Sequence, residues 1–66
     1  MKKVNSPKEI EHLVGKKVKI KIATGDIFDA VYFGENDENP NDVKCDFETD
    51  VVFFELEPGS FEIEEI

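Results

Sequence analysis

Residues 16–22 read Lys-Lys-Val-Lys-Ile-Lys-Ile, and no other stretch constrains the fold as tightly. Val18, Ile20 and Ile22 fall on one side of an extended chain, with Lys17, Lys19 and Lys21 on the other. That period of two predicts a half-buried strand over 16–23 with a cationic outer side. Thr24-Gly25-Asp26 then supplies a tight turn, and a second strand over 27–34 completes a hairpin. In this second strand (Ile27-Phe28-Asp29-Ala30-Val31-Tyr32-Phe33) both faces carry apolar residues. A strand buried on two sides, or bent to serve two sheets, produces such a pattern.

Ahead of the hairpin, Ser6-Pro7 opens a helix, with Glu9 placed to complete a capping box. Ile10, Leu13 and Val14 form one apolar stripe at i, i+3 and i+4, which predicts a two-turn α-helix over 6–14 ended by Gly15. So short a helix must be held by packing. Beyond the hairpin, Glu35 to Asp42 is a polar loop in which Pro40 precludes a central strand. Val43, Cys45 and Phe47 alternate with Lys44, Asp46 and Glu48 in a strand over 43–48. Thr49-Asp50 turns the chain into Val51-Val52-Phe53-Phe54-Glu55-Leu56, a strand over 51–57 that is apolar on both faces. Glu57-Pro58-Gly59-Ser60 breaks it, and a last strand over 61–65 turns Phe61 and Ile63 inward and Glu62 and Glu64 outward. No repeat or low-complexity linker divides residues 1–66, so one mainly β domain is expected, with five short strands and one N-terminal α-helix.

The chemistry-bearing residues are sparse. His12 is the only imidazole and sits on the helix, and Cys45 alternates with Val43 and Phe47 as a buried small hydrophobe. There is no Cys/His cluster for zinc, no phosphate-cradling glycine string, and no EF-hand spacing in the Glu35–Asp42 loop. At 66 residues the chain is also too short for most scaffolds that enclose a cleft between two layers. No catalytic residue, metal or cofactor is therefore expected. One Cys excludes an intrachain disulfide and fits a reducing, cytoplasmic setting. No apolar run approaches the roughly 18 residues of a membrane span, and Met1-Lys2-Lys3 leads into no signal-peptide core.

Charge is the feature left to explain. Sixteen acids face eight Lys, for a net charge of −8, and the two signs are segregated. Residues 1–21 hold seven Lys and two Glu, whereas residues 22–66 hold one Lys and fourteen acids. Basic and acidic strands could neutralise one another side by side, at roughly 0.2–1 kcal/mol per cross-strand pair. Alternatively, the surplus carboxylates form a face for a basic partner. On the second reading Asp37, Glu38, Asp42, Glu55 and Glu57 supply attraction, with Tyr32 or Phe33 as aromatic anchors. The apolar run of Val51, Val52, Phe53 and Phe54 either caps the core beneath the helix or joins two copies of the chain.

The run Leu13-Val14-Gly15-Lys16-Lys17-Val18-Lys19-Ile20, leading to Thr24-Gly25-Asp26 and through Phe28, Ala30 and Tyr32 to Phe33-Gly34-Glu35, resembles the Sm-like, SH3-type small β-barrel family over residues 6–35. Glu35-Asn36-Asp37-Glu38-Asn39 is loosely similar to the family's Asp-x-x-x-Asn step, but Glu57-Pro58-Gly59-Ser60 stands where RNA-binding members carry Arg-Gly, and the chain has no Arg. In size, charge and strand order it is similar to the acidic Rof type, monomeric inhibitors of the transcription terminator Rho. The resemblance implies a five-stranded barrel acting as an inhibitor or adaptor on a basic, nucleic-acid-handling protein surface, in the manner of small phage or mobile-element inhibitors. Strand pairing between neighbours in Sm-like rings further implies a homo-oligomer held through Val51, Val52, Phe53 and Phe54. The alternative is an Sm-like oligomer that binds RNA or a small nucleotide through Lys17, Lys19 and Lys21, which must then be free of Glu62 and Glu64.

Overall fold

The computed structural model describes residues 1–36 and 41–66. Its strands are Lys2–Lys3 (β1), Lys17–Lys21 (β2), Ile27–Asn36 (β3), Lys44–Glu48 (β4), Phe53–Leu56 (β5) and Glu62–Glu65 (β6), with a helix over Pro7–Leu13 between β1 and β2. They form one open, six-stranded sheet in the order β1-β6-β2-β3-β4-β5, antiparallel throughout. The mainly β composition agrees with the alternation. The strand beyond the expected five is β1, whose Lys2 and Lys3 oppose Ile63 and Glu62. Two residues cannot display an alternation, so the sequence carries no periodic signal for it.

The helix differs from the expected α-helix. It is a 3₁₀ helix, closed by bonds such as Glu9 N–H to the Ser6 carbonyl (3.1 Å) and Val14 N–H to that of Glu11 (3.4 Å). With three residues per turn, Ile10 and Leu13 eclipse one another and are both buried. Val14, the third member of the expected stripe, is rotated away and 51% exposed. The Glu9 half of the capping box is present, since the backbone N–H groups of Ser6 and Asn5 donate to Glu9 Oε2 at 2.8 and 2.7 Å. Those bonds hold the Glu9 carboxyl below its ordinary value of 4.5.

Val18 and Ile20 of β2 meet Ala30 and Tyr32 of β3, Cys45 and Phe47 of β4, and Ile63 of β6 in the core. Phe47 anchors it, stacked on Tyr32 at 4.9 Å and edge-on to Phe61 at 5.2 Å. The sheet coils enough for Phe28 of β3 to reach Phe54 of β5 at 5.0 Å.

The second face of β3 is not buried as its composition suggests: Ile27 and Phe33 are about half exposed. A β-bulge explains how the strand continues past them. Tyr32 opposes Phe47, but Gly34 rather than Phe33 opposes Asp46, so Phe33 is the extra residue. Gly34 takes φ +106°, which only glycine adopts without strain. The bulge leaves Phe33 outward and brings Glu35 round to the helix side, beside Tyr32, Pro7 and Val14. At the other apolar run, the Thr49 hydroxyl donates to the Val52 carbonyl at 2.9 Å and accepts from Val52 N–H at 3.0 Å. Side-chain bonding of this kind favours a turn, so Val51 and Val52 precede the strand and β5 begins only at Phe53.

Candidate functional site

The outer face of the sheet divides into two zones. In the first, the lysines of β2 lie between carboxylates on both neighbouring strands. Lys19 opposes Asp29 on β3 and Glu64 on β6, and its Nζ reaches Asp29 Oδ1 at 3.0 Å. Lys21 opposes Glu62, at 3.8 Å, and Lys16 approaches Glu65 at 4.0 Å. Glu64 itself takes the N-terminal ammonium at 3.6 Å. Lys17 opposes Val31 and makes no ion pair among the described residues. These pairs are solvent-exposed, each worth roughly 0.2–1 kcal/mol. Two of the three lysines expected for a nucleotide site are thus already engaged.

The second zone covers β3, β4 and β5. Here Asp46 opposes Glu55, and Glu48 opposes Phe53. The outward rings of Phe33 and Phe53 lean together over β4, centroids 6.2 Å apart and planes 21° apart, and remain 51% and 49% exposed. Glu48 opposite Phe53, Asp50 in the β4–β5 turn and Glu55 two residues along β5 are exposed and without an ion pair among the described residues. Val31, Phe33, Glu48, Thr49 and Asp50 line a shallow open hollow beside the pair. Val51 extends the apolar surface at the tip of the β4–β5 turn, 90% exposed.

The residues expected to bind a partner are distributed unevenly over this surface. Phe33 and Glu55 lie on it. Asp42 and Glu57 instead share Lys44, at 3.4 and 3.1 Å, and the bond to Glu57 with the Asp42 carboxylate beside it pushes the Lys44 ammonium pKa up. Tyr32 is not an available anchor: it is 1% exposed, because the period of two places it on the core face beside Phe47. Burial pushes its hydroxyl well above the ordinary value of 10, with the Cys45 thiol next to it, and burial pushes that thiol up as well. Both stay protonated at neutral pH. Asp37 and Glu38 lie outside the described residues.

Of the apolar run expected at an oligomer interface, Val51, Val52 and Phe53 are outward, whereas Phe54 turns in against Phe28. Glu48 and Asp50 belong to the surface without standing out in the sequence. Their signal is the outward parity of β4 carried into its turn, read together with Phe33 as an outward neighbour.

Such a surface offers carboxylates beside aromatic faces on neighbouring strands of the sheet. Among the described residues, no group of three or more His, Cys, Asp or Glu is placed to hold a metal ion. No helix of the described residues is long and apolar enough to cross a membrane. No family model, curated protein or solved structure matches the chain.

Proposed function

We propose that the chain is a non-enzymatic acidic binding module, an inhibitor or adaptor that sets the outer face of β3, β4 and β5 against a basic protein surface of the kind that handles nucleic acid. The observation that carries this reading is the exposed Phe33–Phe53 pair on a surface that also carries the exposed Glu48, Asp50 and Glu55. Carboxylates attract a cationic surface over a Debye length of about 8–10 Å at physiological salt, and aromatic faces then hold guanidinium or ammonium groups at contact. A cytoplasmic setting belongs to the same reading, supported by the single, buried Cys45.

The relationship we propose is to the Sm-like small barrels of the acidic Rof type. In its support, β2 to β5 follow one another as a meander, β6 returns beside β2, and the sheet coils until Phe28 meets Phe54. The nucleotide-binding alternative draws no such support, because Lys19 and Lys21 already face Asp29 and Glu62.

Nona-arginine titrated into the ¹⁵N-labelled chain tests the docking reading. Amide shifts should concentrate at Phe33, Glu48, Asp50, Phe53 and Glu55, and affinity should fall steeply as salt rises through the physiological range. Shifts spread evenly over the sheet, or an affinity indifferent to salt, would remove the mechanism.

A further inference from the structure

We propose that β5 accepts an extended segment of the partner as an added strand, one in which Lys or Arg alternates with apolar residues. This inference rests on the docking reading above and specifies how the partner is held. β5 is the last strand of the open sheet and, among the described residues, pairs only with β4. The ladder begins where Thr49 N–H donates to the Val52 carbonyl at 2.8 Å. Antiparallel pairs alternate between bonded and non-bonded. Phe54 and Leu56, opposite Phe47 and Cys45, therefore bond to β4, while the N–H and C=O groups of Phe53 and Glu55 point to the open edge.

The edge is short, four residues with Glu55 as its one charge, but it lacks the stronger protections against strand addition. No lysine, proline or bulge interrupts Phe53–Leu56, and Pro58 comes only after the strand has ended. The two faces of an added strand would meet different surroundings. On the inner face, half-buried Phe54 and Leu56 pack against the core and leave their rim side for apolar side chains. On the outer face, Phe53 and Glu55 offer a ring and a carboxylate, which suit a guanidinium or ammonium.

Charge selects the occupant. Residues 45–66 contain eight acids and no Lys. A second copy pairing through β5 would bring two chains of −8 together, each with Glu48, Asp50 and Glu55 exposed near the joined edge. A cationic segment meets the same edge with opposite charge. Main-chain bonds would supply affinity, and the alternation of side chains would supply selectivity.

Hydrogen exchange of the ¹⁵N-labelled chain decides the matter, with acetyl-(Arg-Val)₄-amide as the probe and nona-arginine as the charge-only control. Saturation with the alternating peptide should slow exchange at the Phe53 and Glu55 amides by about tenfold or more, and nona-arginine should not. If the alternating peptide shifts the outer face but leaves those two amides unprotected, strand addition is wrong and side-chain docking stands. Strand addition is equally excluded if nona-arginine binds the face and the alternating peptide does not bind. If neither peptide touches the outer face, both readings fail. Should the two amides be protected in the free protein, with sedimentation giving a dimer, the occupant is a second copy and the proposal is overturned.

Discussion

β2 and β5 both alternate charged or aromatic outward residues with apolar inward ones, yet they end in opposite circumstances. β2 is an interior strand, and its outward Lys19 and Lys21 find carboxylates on the flanking strands. Among the described residues β5 has one neighbour, which places Asp46 opposite Glu55 and Glu48 opposite Phe53. Composition is the same kind of input in each case. Register decides whether a charge is neutralised locally or left for something outside the chain, because opposed residues interact and more distant ones hardly do. The sheet therefore has a zone where Lys19 and Lys21 meet carboxylates and a zone where Glu48 and Glu55 make no ion pair among the described residues.

The largest effect that can test this contrast is in the core. Phe47→Ala should remove about 3–5 kcal/mol of stability in a denaturant titration, enough to leave a chain this small mostly unfolded. Phe53→Ala should cost about 1 kcal/mol or less, since its ring is half exposed. Equal losses would make the outer pair a structural element and break the comparison.

Gly34→Ala should cost about 1–3 kcal/mol, because a Cβ is strained at its positive φ. Space is not the obstacle there, the nearest atom, Val14 Cγ2, standing 3.6 Å from the added Cβ. An unchanged midpoint would show that the bulge relaxes freely.

Glu55→Lys sharpens the contrast from the other side. It places a cation opposite Asp46, so stability should hold steady or rise by about 0.2–1 kcal/mol while nona-arginine affinity falls. A double-mutant cycle on Lys19 and Asp29 should return a coupling of only about 0.2–1 kcal/mol, shrinking with salt.

The smallest effect is a pH dependence at the helix start. The Glu9 carboxyl is held below 4.5 by N–H donors that exist only in the folded chain. Its contribution is present above the unfolded value and is lost as pH falls through the lowered, folded one. Glu9→Gln should accordingly make the midpoint of unfolding less sensitive to acid below about pH 4.5. An identical acid slope in both proteins would rule this out.

The sheet is legible in the chain residue by residue, but several of its details are not, each for a local reason. The strict alternation of β2 and the inward parity of Cys45, Phe47, Phe61 and Ile63 are visible because burial follows a period of two. That same rule places Tyr32 inward, and treating it as an anchor overlooks its parity with Ala30. The helix is legible as an element but not in its winding, since a seven-residue segment is set by packing. The two-faced hydrophobicity of β3 and of residues 51–56 suggests double burial, whereas the outward members are exposed and adjacent. Adjacency is a property of the strand order, and Phe33 and Phe53 lie twenty residues apart in the chain.

The amino-acid sequence alone settles that this is a mainly β chain with too few lysines for its carboxylates, since alternation and charge are local and additive. Which carboxylates are answered is decided in three dimensions. β2 is placed between β6 and β3, β5 is left at an edge, and a bulge at Phe33 and Gly34 aims one ring at another across an intervening strand. Those outcomes follow from register and strand order, which depend on every core contact at once and so cannot be read from any single segment.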